Sequence, residues 1–225
     1  MNKPISIAID GPSGAGKSTI AKTLAKKLGF IYIDTGAMYR AVGLYVLRRG
    51  VEPTDLAGVE PLLADIDISI AYEDGTQKVF LNNEDVSDKI RTPQISKYAS
   101  DVSAHVPVRL KLVELQRGLA NSKSVIMDGR DIGTYVLPDA QLKIFLTASG
   151  EERAKRRYLE LTQKGAVCSL EEIARDMAQR DENDSKRAFA PLKAADDSIV
   201  LDSTTLTQDE VVEKILELYN FKCED

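Results

Sequence analysis

Ile5, Ile7 and Ile9 make the first apolar run of the chain, and Ile20, Leu24 and Leu28 recur behind it at helical spacing. The opening therefore predicts a buried strand, a loop and an amphipathic helix that ends near Gly29. Phe30 to Ile33 reads as a second short buried strand, and a helix is expected from about Ala37 to Arg49, so the chain starts βαβα. Asp55 to Leu63 predicts a short helix. The pattern then changes: Ile66, Ile68 and Ile70 alternate with polar residues, Glu73-Asp74-Gly75-Thr76 reads as a turn, and Lys78 to Leu81 begins a second alternating run. An antiparallel hairpin is thus inserted into a parallel α/β pattern. Pro93 to Ala104 and Val108 to Ala120 read as helices, with Pro107 as a break between them. Buried parallel strands resume at Ser124 to Met127, closing on Asp128-Gly129, and at Leu142 to Leu146. Charged helices are expected over 150–164 and 170–184, a last strand at Ile199 to Leu201, and a last helix from Gln208 to Asn220. That helix buries Val211, Val212, Ile215 and Leu218 or Tyr219.

With 225 residues, 43% of them hydrophobic, the chain holds one α/β core with a sizeable insertion or two small domains. No apolar run approaches the length of a membrane span, and Met1-Asn2-Lys3-Pro4 leads directly into the first strand, so a cytoplasmic protein is expected. Cys168 and Cys223 have neither metal-ligand spacing nor the density of a disulfide scaffold and read as reduced and incidental. A single histidine, His105, leaves no His-based triad combined with a His metal site and reads as structural. The net charge of −5 argues against general nucleic-acid binding. An anionic ligand must then be held by local clusters, and three present themselves: Arg130, the trio Arg153, Arg156 and Arg157, and the pair Arg180 and Arg187.

Gly11-Pro12-Ser13-Gly14-Ala15-Gly16-Lys17-Ser18 fits G-x-x-x-x-G-K-[ST] between the first strand and the first helix. Glycines let backbone N–H groups turn inward around phosphates, and the following helix points its positive end at them. Lys17 then reaches the β/γ-phosphates and Ser18 offers a hydroxyl to Mg²⁺, so a nucleoside triphosphate binds here. Asp128 closes a strand where a Walker B carboxylate would order Mg²⁺ through water, or else simply makes a strand-end turn. Arg130 and Asp131 follow in the loop at the carboxyl edge of the sheet, where open α/β folds bind ligands. Arg153, Arg156 and Arg157 fall on one side of a helix; they either close on phosphate or pair with Glu151, Glu152 and Glu160 as a solvated face. Arg180, Asp184 and Arg187 stand at i, i+4 and i+7, with the carboxylate either binding ligand or bridging its neighbours. Asp34-Thr35-Gly36-Ala37-Met38-Tyr39-Arg40 divides evenly between an N-cap and a ligand-binding turn.

Gly11–Thr19, Asp34–Arg40, Asp128-Gly129-Arg130-Asp131-Ile132-Gly133-Thr134 and Arg187-Ala188-Phe189-Ala190-Pro191-Leu192 together closely resemble bacterial cytidylate kinase over essentially the whole chain, and Leu201-Asp202-Ser203-Thr204 is similar as well. The resemblance implies a P-loop kinase core at 1–63 and 105–225, with a helical lid at about 150–187 and a nucleoside-monophosphate-binding insertion at 64–104. It implies transfer of the γ-phosphoryl of ATP to CMP or dCMP with Mg²⁺, by a cytoplasmic monomer with no nucleic-acid or membrane partner. Gly11 to Thr19 would hold ATP, and Ser18 and Asp128 the metal. Lys17, Arg153, Arg157 and Asp128 would be catalytic, with Arg156 beside the lid arginines. Thr35, Arg40, Arg130 and Arg180 would hold the acceptor phosphate, Thr35 standing where many members carry Ser. Ser100, Arg109 and Asp131 would contact cytosine, and Asp184 and Arg187 the sugar.

Rival classes leave marks that are missing. A regulatory GTPase needs N-K-x-D and D-x-x-G, whereas Asn2-Lys3 is misplaced and Asp128-Gly129-Arg130-Asp131 lacks the second element. A scaffold has no use for paired anion clamps around one P-loop. The nearest rival is a kinase of the same fold acting on UMP, AMP or a non-nucleotide acceptor.

Overall fold

The computed structural model describes residues 4–73, 76–121, 123–163 and 165–223. In chain order the elements are β1 (Ser6–Asp10), α1 (Lys17–Leu28), β2 (Ile31–Asp34), α2 (Thr35–Arg48), α3 (Leu56–Leu62), β3 (Ile68–Glu73), β4 (Thr76–Leu81), β5 (Glu84–Asp85) and α4 (Pro93–Val102). They continue with α5 (Val106–Ala120), β6 (Val125–Gly129), β7 (Leu142–Thr147), α6 (Gly150–Gln163), α7 (Leu170–Lys186), β8 (Ile199–Asp202) and α8 (Gln208–Cys223). The chain forms two compact units, residues 1–31 with 123–225 and residues 32–122. The second unit contains the expected 64–104 insertion and takes in α2, α3 and α5 as well.

In the first unit β1 is flanked on both sides by parallel partners, β6 and β7, which is why Ile7, Ala8 and Ile9 have no exposed surface. β8 extends β7, and Ile31, the first residue of β2, donates its N–H to the Ser124 carbonyl just ahead of β6. The register pairs Asp10 with Gly129 and with Phe145, so the carboxyl ends of β1, β6 and β7 fall level. The loops that leave this edge carry the P-loop, Arg130 with Asp131, and the approach to α6. Gly16 and Gly29, at φ 87° and 68°, start and stop α1, whose Ile20 and Leu24 are buried. Tyr219, not Leu218, is the buried aromatic of α8, and its ring meets Phe30 edge-on at 5.9 Å. After Asp131 the chain makes a one-turn π-helix over Ile132–Val136, with the Leu137 N–H reaching the Ile132 carbonyl. Nothing in the hydrophobic pattern predicts that turn.

In the second unit β3, β4 and β5 form an antiparallel sheet in register from Ile68↔Leu81 to Glu73↔Thr76. The expected turn residues Asp74 and Gly75 lie outside the described residues. The hairpin starts at Ile68 and not Ile66, because a 3-10 turn over Leu63–Asp65 carries the chain on from α3. Gly43 lets α2 and α4 approach, since a Cβ there would sit 2.9 Å from the Ala99 backbone nitrogen. The expected break between the two helices falls over 103–105 and not at Pro107, which lies in the first turn of α5, where its missing N–H has no intrahelical acceptor to lose.

Candidate active site

The glycines of the P-loop are where backbone geometry demands them. Gly11 has φ 147°, and a Cβ on it would lie 2.0 Å from the Leu146 carbonyl oxygen; Gly14 and Gly16 are left-handed at 72° and 87°. Lys17 is buried and donates from Nζ to the Pro12 carbonyl at 2.7 Å, across the loop. Ser18 Oγ donates to Asp128 Oδ2 at 2.9 Å, joining the start of α1 to the end of β6. Burial holds the Lys17 ammonium well below its usual pKa, and the Arg130 and Arg180 guanidinium groups push it the same way against Asp128 and Asp10. A buried lysine so placed among cations is stabilised in its charged form by an anion.

Ser13 ties this loop to α6 and α7. Its N–H donates to Asp181 Oδ1 at 2.8 Å, its carbonyl accepts from Arg153 Nη1 at 2.8 Å, and its hydroxyl accepts from Arg130 Nη2 at 3.1 Å. Arg153 also donates from Nε to the Ala148 carbonyl and pairs with Asp181. Arg130 donates from Nε to Asp184 at 2.9 Å, and Arg187 stands 3.6 Å from the other oxygen of that carboxylate. Burial pushes the Asp184 carboxyl up, but Arg130, Arg187 and Arg180 outweigh it and hold the group below the ordinary range. Asp184 is thus a shared counter-ion, ionised at neutral pH, with Arg130, Arg180 and Arg187 around it.

The arginine trio of α6 does not converge on one point as its helical spacing suggests. Arg156 pairs with Glu152 and donates to the Ser203 hydroxyl and carbonyl, Arg157 pairs with Glu160 at the surface, and Arg153 alone turns to the P-loop. Carboxylates, in place of a phosphate, relieve the repulsion between these arginines. Beside Arg156 a cavity of about 230 Å³ is lined by Ala15, Gly16, Ile20, Ser203 and Val211.

Within the second unit, Asp34 caps α2 by accepting from the Ala37 N–H at 2.9 Å and pairs with Arg40 at 2.9 Å. The N-cap reading of this turn holds, and the capping carboxylate also pairs with Arg40. Gln77 accepts the Asp34 N–H at 2.8 Å and fixes the turn from the hairpin. Thr35 is buried, and Arg109 is 1% exposed, donating to the Ser103 carbonyl with its guanidinium 5.5 Å from the Tyr39 ring centroid. Ser100 lies on α4, its carbonyl accepting from Ser103 Oγ. His105, by contrast, places Nε2 2.8 Å from the Pro53 carbonyl, a structural contact.

Three polar residues of these networks are missed by motif reading, Asp10, Asp181 and Gln77, and Ser203 lies in the recognised 201–204 segment without an assigned role. Asp10 precedes Gly11 at the strand edge and Asp181 follows Arg180, so adjacency to a motif was the available signal. Asp10 is buried and accepts from the Ile132 and Gly133 N–H groups at 2.8 and 2.7 Å. Burial pushes its carboxyl up to about 7 against those two donors, with Asp131 adding to the rise and Lys17 opposing it. Among the described residues no cluster of three or more His, Cys, Asp or Glu side chains forms a metal cage, and Cys168 is a free thiol. The Cys223 side chain lies outside the described residues. No described helix is long and apolar enough to cross a membrane.

The sequence profile of one family, cytidylate kinase, matches residues 7–221. The chain is 58% identical over 217 residues to a cytidylate kinase of Caldicellulosiruptor bescii, spanning 96% of both chains. It is 51% identical over 214 residues to one of Halalkalibacterium halodurans, spanning 95% of this chain and 96% of that one. Among solved structures it is similar to a shikimate kinase from Bacteroides thetaiotaomicron at 17% identity and a TM-score of 0.50, over 96% of this chain and 98% of that chain. At that identity the likeness speaks for the fold, a parallel sheet flanked by helices.

Proposed function

The chain belongs to the cytidylate kinase family, and we propose that it transfers the γ-phosphoryl group of ATP to CMP or dCMP, giving ADP and the pyrimidine nucleoside diphosphate. The observation that carries the reading is the buried Lys17 among Arg130 and Arg180 at the mouth of a P-loop, cations balanced by carboxylates of the protein itself. Phosphoryl transfer asks for little covalent chemistry from the protein; it asks for alignment and for charge placed where the transferring group develops it.

ATP enters with its phosphates on the backbone N–H groups of Gly11 to Thr19, and its base fits the cavity beside Arg156 and Ser203. Lys17 exchanges the Pro12 carbonyl for phosphate oxygen, which favours its charged form. Mg²⁺ takes few protein ligands beside phosphate and water, and the Ser18 hydroxyl and Asp128 carboxylate, 2.9 Å apart, suit that demand. The ion would neutralise charge on the transferring phosphates. Thr35, Arg40, Arg130 and Arg180 hold the acceptor phosphate, and Asp184 and Arg187 the sugar. Arg109 and Asp131, with Ser100, read cytosine: a carboxylate accepts from its N4 amine, and a guanidinium donates to O2 or N3. Arg153, already on the P-loop, and Arg157 serve the phosphates from the lid at 150–187, and the 64–104 insertion serves the monophosphate. A monomeric, cytoplasmic enzyme with small-molecule nucleotide partners, and neither nucleic-acid nor membrane partners, accords with the acidic balance of the chain. ADP release measured with CMP, dCMP, UMP and AMP tests the proposal: turnover with the cytidine nucleotides well above the others is expected, and preference for another acceptor overturns it.

A further inference from the structure

Every polar group of Ser13 is engaged by a charged side chain, and one of these, Asp181, does two things at once. Through Oδ1 it accepts the Ser13 N–H, and through the other oxygen it pairs with Arg153, whose Nη1 also donates to the Ser13 carbonyl. Ser13, Asp181 and Arg153 therefore close a ring, and a third bond from Arg153 Nε to the Ala148 carbonyl fixes the plane of the guanidinium. Both charged side chains are largely buried, at 14% and 16% exposure. Contact at Gly14 reinforces the junction, since a Cβ there would sit 2.5 Å from the Met177 side chain and 3.0 Å from the Arg153 carbonyl oxygen.

A carboxylate beside a P-loop repels the phosphates the loop is built to hold, so its placement calls for an offsetting gain. Arg153 supplies one. A free arginine loses rotamer freedom when it is fixed. Here Nε and Nη1 are anchored to protein, while Nη2 makes no hydrogen bond among the described residues. We propose that Asp181 is a positioning residue of the phosphoryl-transfer site: it holds Arg153 on the P-loop at Ser13 with one edge of the guanidinium presented to the transferring phosphate. The proposal rests on the kinase reading above. The acidic group stays with Arg153 through the reaction, so it acts on turnover and not on capture of substrate.

The test is a double-mutant cycle on the full chain. Asp181→Asn keeps an oxygen for the Ser13 N–H but turns an NH₂ toward Arg153, so it separates the two tasks. Asp181→Asn is expected to lower kcat about 10- to 100-fold with KM for CMP and for ATP each within about threefold of wild type. In an Arg153→Met background the same change should alter kcat by less than about threefold, because the group it positions is gone. Multiplicative losses overturn the proposal, since Asp181 would then act without Arg153. A higher kcat or tighter ATP binding in Asp181→Asn overturns it too, since the carboxylate would be competing with phosphate. If Asp181→Asn does not fold, Asp181→Glu enters the same cycle, with a smaller loss and the same non-additivity expected. Wild-type turnover on CMP is measured first: its absence defeats the kinase reading, whereas turnover with independent losses defeats only the role of Asp181.

Discussion

Asp10 offers a prediction whose size follows from its surroundings. It is 5% exposed, its two oxygens face the Ile132 and Gly133 N–H groups, and its pKa is pushed from an ordinary 3.8 up to about 7, chiefly by burial. The folded protein therefore keeps this proton to higher pH than the unfolded chain does. Between the two pKa values the native state binds more protons, so stability falls as pH rises through this window and levels off above about pH 7. Between about pH 5.5 and about pH 8 the linkage amounts to about 2 kcal/mol, or about 4–8 °C in the thermal midpoint of a chain this long. Asp10→Asn removes the titration. Its amide oxygen still accepts one N–H while its NH₂ faces the other, a fixed loss of about 1–3 kcal/mol. The informative quantity is therefore the difference in midpoint between wild type and Asp10→Asn at the two pH values, followed by circular dichroism. Wild type should lose about 4–8 °C relative to the variant on going from the lower to the higher pH. A difference that does not change with pH would refute the reasoning and leave Asp10 ionised throughout.

Three further outcomes are expected. Lys17→Ala should lower kcat by a factor of about 100 or more while weakening ATP binding far less, as read by steady-state kinetics beside equilibrium titration; near-normal turnover at saturating ATP contradicts its role. Asp131→Asn presents an NH₂ to the O4 of uracil, so the ratio of kcat/KM for CMP over UMP should fall by about ten- to a hundredfold; an unchanged ratio moves base reading elsewhere. Gly11→Ala places a Cβ 2.0 Å from the Leu146 carbonyl oxygen at φ 147° and should lower the thermal midpoint and abolish ATP binding together; a variant that binds ATP normally contradicts the strain.

The parallel core was legible because burial there follows sequence directly. Ile7, Ile9, Ile126 and Ile144 lie in strands covered on both faces, and runs of that kind carry no competing period. The hairpin was legible from alternation, and Val79 and Leu81 do face inward with Gln77. Two features had no such signal. Pro107 reads as a breaker by type, yet its effect depends on where the helix starts. The π-helix after Asp131 depends on Asp10, more than a hundred residues earlier, accepting its first two N–H groups. The P-loop was legible because its chemistry fixes both residue type and spacing, and the structure joins its Ser18 to the strand-end Asp128 by a hydrogen bond.

Charge partners separate what local spacing cannot. Arg153, Arg156 and Arg157 occupy one side of α6, and a one-dimensional reading gives them one fate. In the structure Arg156 and Arg157 take carboxylates from their own helix, Glu152 and Glu160, while Arg153 takes Asp181 from α7. An exposed pair such as Arg157 with Glu160 contributes about 0–1 kcal/mol and yields readily to a phosphate. The Arg153–Asp181 pair is much less exposed, so breaking it costs more than breaking the surface pair and Arg153 stays with Asp181 unless another partner offsets the loss. On the proposed function the two arginines thus differ by burial: Arg157 is held at the surface by a pair that yields easily, whereas Arg153 already stands on the P-loop.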